Sequence, residues 1–341
     1  MHSRFPWYWI MAGMLSVSCS PDQRQFPDVG REKHLVLDAV DSHKQDTVPA
    51  FPEETYSRIL LHLNHGRKSD KWPVHGTVPA KGALLPYNRI MAFYGNLYST
   101  RMGILGALPP DSLVARLKAQ ALQWQQADTL LPVIPALHYI AVTAQRQPGK
   151  DNRYRLRMPH SQIDRVLTMA RSAGAITFLD IQQGQSEALP EAMSLEKYLV
   201  QPDVHLGIDP EYAMKAGQVP CSVIGSLDAA AVNAVTVYLA ALVQAHNLPP
   251  KVLVVHRFTQ AMLTNYSSIV RRPEVQIVIN MDGFGSPAKK RDSYNSWISR
   301  QPVEYTGFKL FYTVDPATGG RLMEPAEVLK LFPSPVYIQY Q

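Results

Sequence analysis

Eight short apolar runs, rich in β-branched and aromatic residues, recur from Arg89 to the end of the chain, and that rhythm restricts its fold more than any other feature. They cover 89–95, 133–142, 175–182, 204–209, 251–258, 276–282, 308–312 and 336–340. Their ends lie 26 to 47 residues apart, which leaves room for a crossover helix in every interval. The intervening segments show helical spacing, most plainly at 159–172, 226–246 and 259–271. Over 226–246, Ser226 is the expected N-cap, Val232, Val235, Leu239 and Leu242 form one face, and Pro249-Pro250 stop the helix. Continuous apolar strands alternating with amphipathic helices indicate a parallel sheet covered on its outside, and eight such units predict a (β/α)8 barrel. A doubly wound open sheet is the alternative, because counting strands does not show closure. No eighth helix follows the last run. A helix over 53–65, with Tyr56, Ile59, Leu60 and Leu63 on one stripe, is expected to close the barrel instead.

Ahead of the barrel, Arg4, an apolar stretch over 5–17 and Ser16-Val17-Ser18-Cys19 form a signal segment that resembles a bacterial lipobox. The expected organisation is a signal peptide over 1–18, a lipidated Cys19 with a Pro-punctuated tether over 19–52, and one barrel domain over 53–341. That places the protein in a bacterial cell envelope, lipid-anchored, with the membrane touched only through the lipid. Lipidation of Cys19 leaves Cys221 as the one free thiol, and two cysteines exclude cysteine-rich zinc sites. The formal charge of +6 is spread along the chain rather than gathered in a basic tract, so no nucleic-acid partner is expected. An anionic envelope polymer suits it equally well.

Barrel enzymes place their sites at the carboxyl ends of the strands. Here those ends carry Tyr94, Asp180 with Gln182, Asp209 with Glu211, His256, Asp282, Tyr312, and Gln339 with Tyr340. In Gly207-Ile208-Asp209-Pro210-Glu211 the two carboxylates stand two residues apart and can enter one mouth, where mutual repulsion raises one pKa as a general acid requires. Asp-Pro-Glu is equally a helix-start signal, and Asp282-Gly283 equally a turn. Lys309 and Arg257 could supply ion pairs to the acidic ends. Glu211, Asp209, Asp282 and Asp180 are therefore the catalytic candidates, and Tyr94, Gln182, His256, Lys309, Tyr312 and Tyr340 the substrate-binding ones. No metal or other cofactor is expected, since the first strand has no His-x-His run and His138 and His205 lie early in theirs; a metal-dependent hydrolase is the remaining alternative and needs His256 and two carboxylates on one metal centre. No Gly-x-Ser-x-Gly elbow and no glycine-rich phosphate loop occur.

The Asp209-Pro210-Glu211 pattern on the fourth strand resembles the Asp-x-Glu of chitinase-like and lysozyme-like glycosidase barrels, and the chain as a whole resembles uncharacterised bacterial secreted or lipid-anchored barrels of glycoside hydrolase type. The resemblance implies Glu211 as general acid, Asp209 as its pKa-setting partner, and a polysaccharide or glycan as ligand. The chitinase-like pattern has aspartates two and five residues before the Asp of its motif, where this chain has Gly207 and Val204. A non-catalytic envelope protein that binds glycan or a partner through the mouth is the competing expectation. It is favoured if Glu211 is fully ion-paired, or if the 66–87 loop covers the mouth.

Overall fold

The computed structural model describes residues 53–67, 69–74 and 78–341, so the signal segment, Cys19 and the tether lie outside the described residues. Eight strands form the barrel: β1 (Arg89–Gly95), β2 (Val133–Ala144), β3 (Ile176–Ile181), β4 (Val204–Ile208), β5 (Lys251–His256), β6 (Val275–Met281), β7 (Tyr305–Leu310) and β8 (Tyr337–Tyr340). Each pairs in parallel with its neighbours. The pairing of β8 with β1, Phe93 beside Tyr340, closes the sheet, so the open-sheet alternative falls. The crossovers carry α2 (Pro110–Ala127), α3 (His160–Ser172), α4 (Ala188–Met193), α5 (Ala229–Ala245) and α6 (Pro287–Tyr294). None of the described helices is long and apolar enough to cross a membrane.

Strand parity sorts the core into two parts. Met91, Phe93, Leu137, Leu179, Leu206, Leu253, Ile277 and Ile338 face the helices. Ile90, Ala92, Ala136, Phe178, Val252, Val254, Val278 and Tyr337 fill the inside, together with Ile59 and Leu63 of α1 (Glu53–Leu63). These contacts set α1 against the floor, where Leu63 O accepts from Ser334 N just before β8 (2.8 Å). Thus α1 closes the barrel from below rather than standing in the outer ring. The loop over 66–87 also lies at the floor: Trp72 donates to Glu304 O (2.7 Å), and Gln276 Oε1 accepts from Leu84 N and Leu85 N. Its described residues therefore leave the mouth uncovered.

Four local expectations are corrected. The N-cap of α5 is Asp228, which accepts from Ala230 N (2.9 Å), while the Ser226 hydroxyl donates to Ala261 O. No α-helix forms over 259–271, where the only helical piece is the 3-10 turn Tyr266–Ser268. The Arg257 guanidinium takes the carbonyls of Thr259, Gln260 and Leu263, and Leu263–Thr264 pairs with Leu227–Asp228, so these groups are unavailable to a helical ladder. Arg257 thus supplies no ion pair to the strand-end carboxylates. The seventh run begins earlier than its apolar residues suggest, because Gly307 and Lys309 of β7 face inward and interrupt the apolar pattern.

Candidate active site

Polar residues replace apolar ones on the inward face as the strands near their carboxyl ends. Tyr94, His138, Asp180, Asp209, His256, Asp282, Lys309 and Gln339 are all buried there, from eight different strands or the residues that follow them. Asp180 is the best-satisfied carboxylate. Its Oδ2 accepts from the Tyr94 hydroxyl (2.9 Å) and its Oδ1 lies 3.1 Å from His138 Nε2. Gln182 donates weakly to the Tyr94 oxygen at 3.4 Å. Behind His138, Nδ1 is 2.6 Å from the Tyr337 hydroxyl, and Gln339 donates to that same hydroxyl (3.0 Å). Burial lowers His138 to about 4, which makes it a neutral imidazole. Its Nε2–H then donates to Asp180 and its Nδ1 accepts from Tyr337.

His256 lies across from this group, with Nδ1 at 3.1 Å from Asp282 Oδ2 and Nε2 at 3.5 Å from Asp180 Oδ1. Asp282 keeps its second oxygen, Oδ1, buried and without a hydrogen-bond partner. Asp209 caps the single 3-10 turn Pro210–Tyr212 by accepting from Glu211 N (3.1 Å). The Asp-Pro-Glu tripeptide therefore starts a turn, and it also sets both acids near Asp282. Burial, more than mutual repulsion, raises Asp209 to about 7 and Glu211 to about 8. Asp282 adds to both shifts, while His256 and Lys309 oppose them. Glu211 has no salt-bridge partner among the described residues. Lys309 Nζ sits 3.9 Å over the Tyr94 ring, with Phe311 at 5.1 Å. Phe311 in turn packs edge-on against Phe284, which is half-buried.

The structure thus gathers Tyr94, Asp180, Gln182, Asp209, Glu211, His256, Asp282 and Lys309 at one end of the barrel. It removes two other candidates from the mouth. Tyr340 points outward among the helices, accepting from Trp124 Nε1 (3.1 Å), and Tyr312 stacks on it at 4.9 Å. The Tyr312 hydroxyl donates to Gln120, and Arg116 covers its ring at 4.2 Å. Parity explains this: Gln339 faces inward, so Tyr340 faces the helices. Reasoning from sequence passed over His138, Tyr337 and Gly207. A Cβ on Gly207 would come 2.3 Å from Asp180 Oδ1 and 2.4 Å from His138 Nε2, so only glycine allows that cluster to form. The other early histidine, His205, is structural: its Nδ1 accepts from Val252 N, and burial lowers it to about 3.

Fold and site together define a (β/α)8 barrel with a buried, mostly acidic cluster at the carboxyl ends of its strands. No family model and no curated protein sequence matches the chain. Among solved structures, it is similar to the Bacillus subtilis mannanase man26, at 11% identity over 86% of each chain and a TM-score of 0.41. It is also similar to the cellulose synthase subunit Z of Clostridioides difficile, at 8% identity over 74% of this chain and 92% of that one, with a TM-score of 0.38. A third similar structure is a broad-specificity endoglucanase from an uncultured bovine rumen ciliate, at 9% identity over 68% and 76% of the two chains and a TM-score of 0.34. Likeness this distant carries no functional argument, and the fold rests on the closed ring of strand pairings.

Proposed function

We propose that this barrel hydrolyses a glycosidic bond in an envelope or extracellular polysaccharide, with Glu211 as general acid, Asp209 as its modulator and Asp282 as the second carboxylate. The observation that carries the reading is the convergence of Glu211, Asp209 and Asp282 at one mouth, where Asp282 Oδ1 is left without a partner. Glu211, protonated up to about pH 8, gives its proton to the leaving glycosidic oxygen as the bond to the anomeric carbon breaks. Water supplies the new anomeric oxygen. Asp282 either takes the proton from that water directly or first bonds the anomeric carbon, and the separation of the carboxyl groups at work decides between the two. Asp180, with both oxygens held by Tyr94 and His138, is a positioning residue rather than a second base. Lys309 and Gln182 are suited to sugar hydroxyls.

The same reading puts the barrel on the outside of a bacterial membrane, tethered through a lipidated Cys19. Labelling with a fatty-acid analogue should be lost in Cys19→Ser, and the protein should leave the membrane fraction. For activity, release of reducing ends from a panel of envelope and exopolysaccharides is measured with the full chain, Glu211→Gln and Asp282→Asn. Loss of about 10²- to 10⁴-fold in each variant supports the assignment. Equal glycan binding by all three proteins, with no reducing ends released by any, moves the reading to a non-catalytic glycan-binding barrel.

A further inference from the structure

Next to Asp282 lies a cluster of two histidines and an aspartate to which hydrolysis by acid and base assigns no proton transfer. One ring nitrogen each of His138 and His256 and one oxygen of Asp180 all lie within 4.8 Å of one another, and all three side chains are fully buried. The individual separations are 3.1 Å for His138 to Asp180 and 3.5 Å for His256 to Asp180. Ligand atoms bound at about 2.0–2.2 Å in a tetrahedral shell stand roughly 3.3–3.6 Å apart, close to both of these values.

We infer that His138, Asp180 and His256 form a binding site for a first-row divalent cation of the zinc class. Two imidazoles and one carboxylate are a donor set that such ions take, with further positions left for water or substrate oxygen. Three observations beyond proximity support the site. First, the buried His256 Nε2 faces Asp180 Oδ1 at 3.5 Å, an ion-pair separation that makes no hydrogen bond, so an ion between the two atoms would complete both. Second, each ligand is held through its remaining polar atom. Asp282 Oδ2 lies against His256 Nδ1, the Tyr337 hydroxyl against His138 Nδ1, and the Tyr94 hydroxyl donates to the other Asp180 oxygen. Supporting contacts of this kind hold ligand rings at metal centres; the ion would take the place of the His138 Nε2 proton, and Nδ1–H would then donate to the Tyr337 hydroxyl. Third, the backbone of β4 passes against the ligand atoms at Gly207, where any side chain would displace Asp180 and His138. Asp282 has a place in both schemes, since Oδ2 orients His256 while Oδ1 stays available to the chemistry above.

The inference goes beyond the glycosidase reading and is tested apart from it. The full chain, stripped with chelator, is titrated with Zn²⁺ and with Co²⁺ as a spectroscopic probe, and metal per chain is counted after gel filtration. The expected result is one ion per chain with visible cobalt absorption bands. Asp180→Asn and His256→Gln should each weaken binding at least about 100-fold, and Asp282→Asn, which leaves all three ligands in place, about 10- to 100-fold. Circular dichroism establishes that each variant is folded. Glu211→Gln should abolish glycan hydrolysis and leave metal affinity unchanged, which separates the two ideas. Failure of the wild-type chain to take up stoichiometric metal overturns the site, as does uptake that persists in both Asp180→Asn and His256→Gln. Stoichiometric metal in a chain that hydrolyses no glycan upholds the site and sinks the glycosidase reading alone.

Discussion

Replacing Asp209 by asparagine should stabilise the protein, and by a margin that grows with pH. Asp209 is 3% exposed, and its carboxyl is held up to about 7 against an ordinary value of 3.8, first by burial and then by Asp282 and Asp180. Between those two pH values the folded chain keeps a proton that the unfolded chain has released. The unfolded state binds fewer protons there, so stability falls as pH rises through the window. At about 1.4 kcal/mol per pH unit, the penalty is about 2 kcal/mol at pH 5 and about 4 kcal/mol at pH 8. Asparagine escapes it, because it cannot ionise, and it can still accept from Glu211 N as an N-cap. The stabilisation by Asp209→Asn should therefore increase by about 2–3 kcal/mol between pH 5 and pH 8. For a domain of this size that is a further gain of about 4–6 °C in melting temperature, at about 2 °C per kcal/mol. Thermal and urea unfolding of both proteins at the two pH values, in metal-free buffer, measures it. A margin that is the same at both pH values refutes the reasoning, and so does a variant less stable than the parent at pH 8. Catalytic activity should fall in the same variant, because the strain that destabilises the fold belongs to the site.

Three further outcomes follow from other parts of the structure. With Glu211 at about 8, kcat/KM for any glycan substrate should be level just below that pH and fall about tenfold per unit above it, because the acid has lost its proton; a profile that still rises beyond pH 9 removes Glu211 from the role. Gly207→Ala should lower stability by about 1–3 kcal/mol and abolish activity, since its Cβ would meet Asp180 Oδ1 at 2.3 Å; chemical denaturation beside the activity assay checks this, and a fully active, equally stable variant contradicts the packing described. Tyr312→Phe removes a hydroxyl that bonds Gln120 and Arg116 outside the barrel, so KM should stay unchanged while stability falls by about 1 kcal/mol; a large rise in KM returns Tyr312 to the mouth.

The barrel itself was legible because eight apolar runs at crossover spacing admit few other arrangements, and because β1 starts and stops where its composition changes, at Arg89 and Gly95. What the sequence concealed was parity. Tyr312 and Tyr340 end their runs as plausibly as Tyr94 does, yet one residue of displacement turns a side chain from the mouth to the helix layer. His138 was set aside for lying early in its run. In the structure β2 continues for six residues beyond it, to Ala144, and His138 pairs in register with Tyr94. Position along a run is a poor measure of depth in a barrel whose strands are tilted and unequal in length. Gly207 looked like a departure from a glycosidase pattern. It is instead the residue that makes room for Asp180 and His138.

Parity also supplies the strongest physical reason for placing function at this end. Along the same inward face, Ile90 and Ala92 lead to Tyr94, Phe178 leads to Asp180, Val252 and Val254 lead to His256, and Val278 leads through Asn280 to Asp282. The lower half of the barrel shows that these strands fill an interior with apolar side chains without difficulty. Continuing that pattern upward would avoid the desolvation of three aspartates, two histidines and a lysine, each costly to bury. Nor are the charges all neutralised by one another. Asp282 Oδ1 lacks a hydrogen-bond partner, His256 Nε2 meets Asp180 only at 3.5 Å, and Asp209 and Glu211 are held well above their ordinary pKa values. An interior built only for stability would pair these groups fully or replace them. Unsatisfied, perturbed groups gathered from many strands at the carboxyl ends are what a site that binds and transforms a ligand requires.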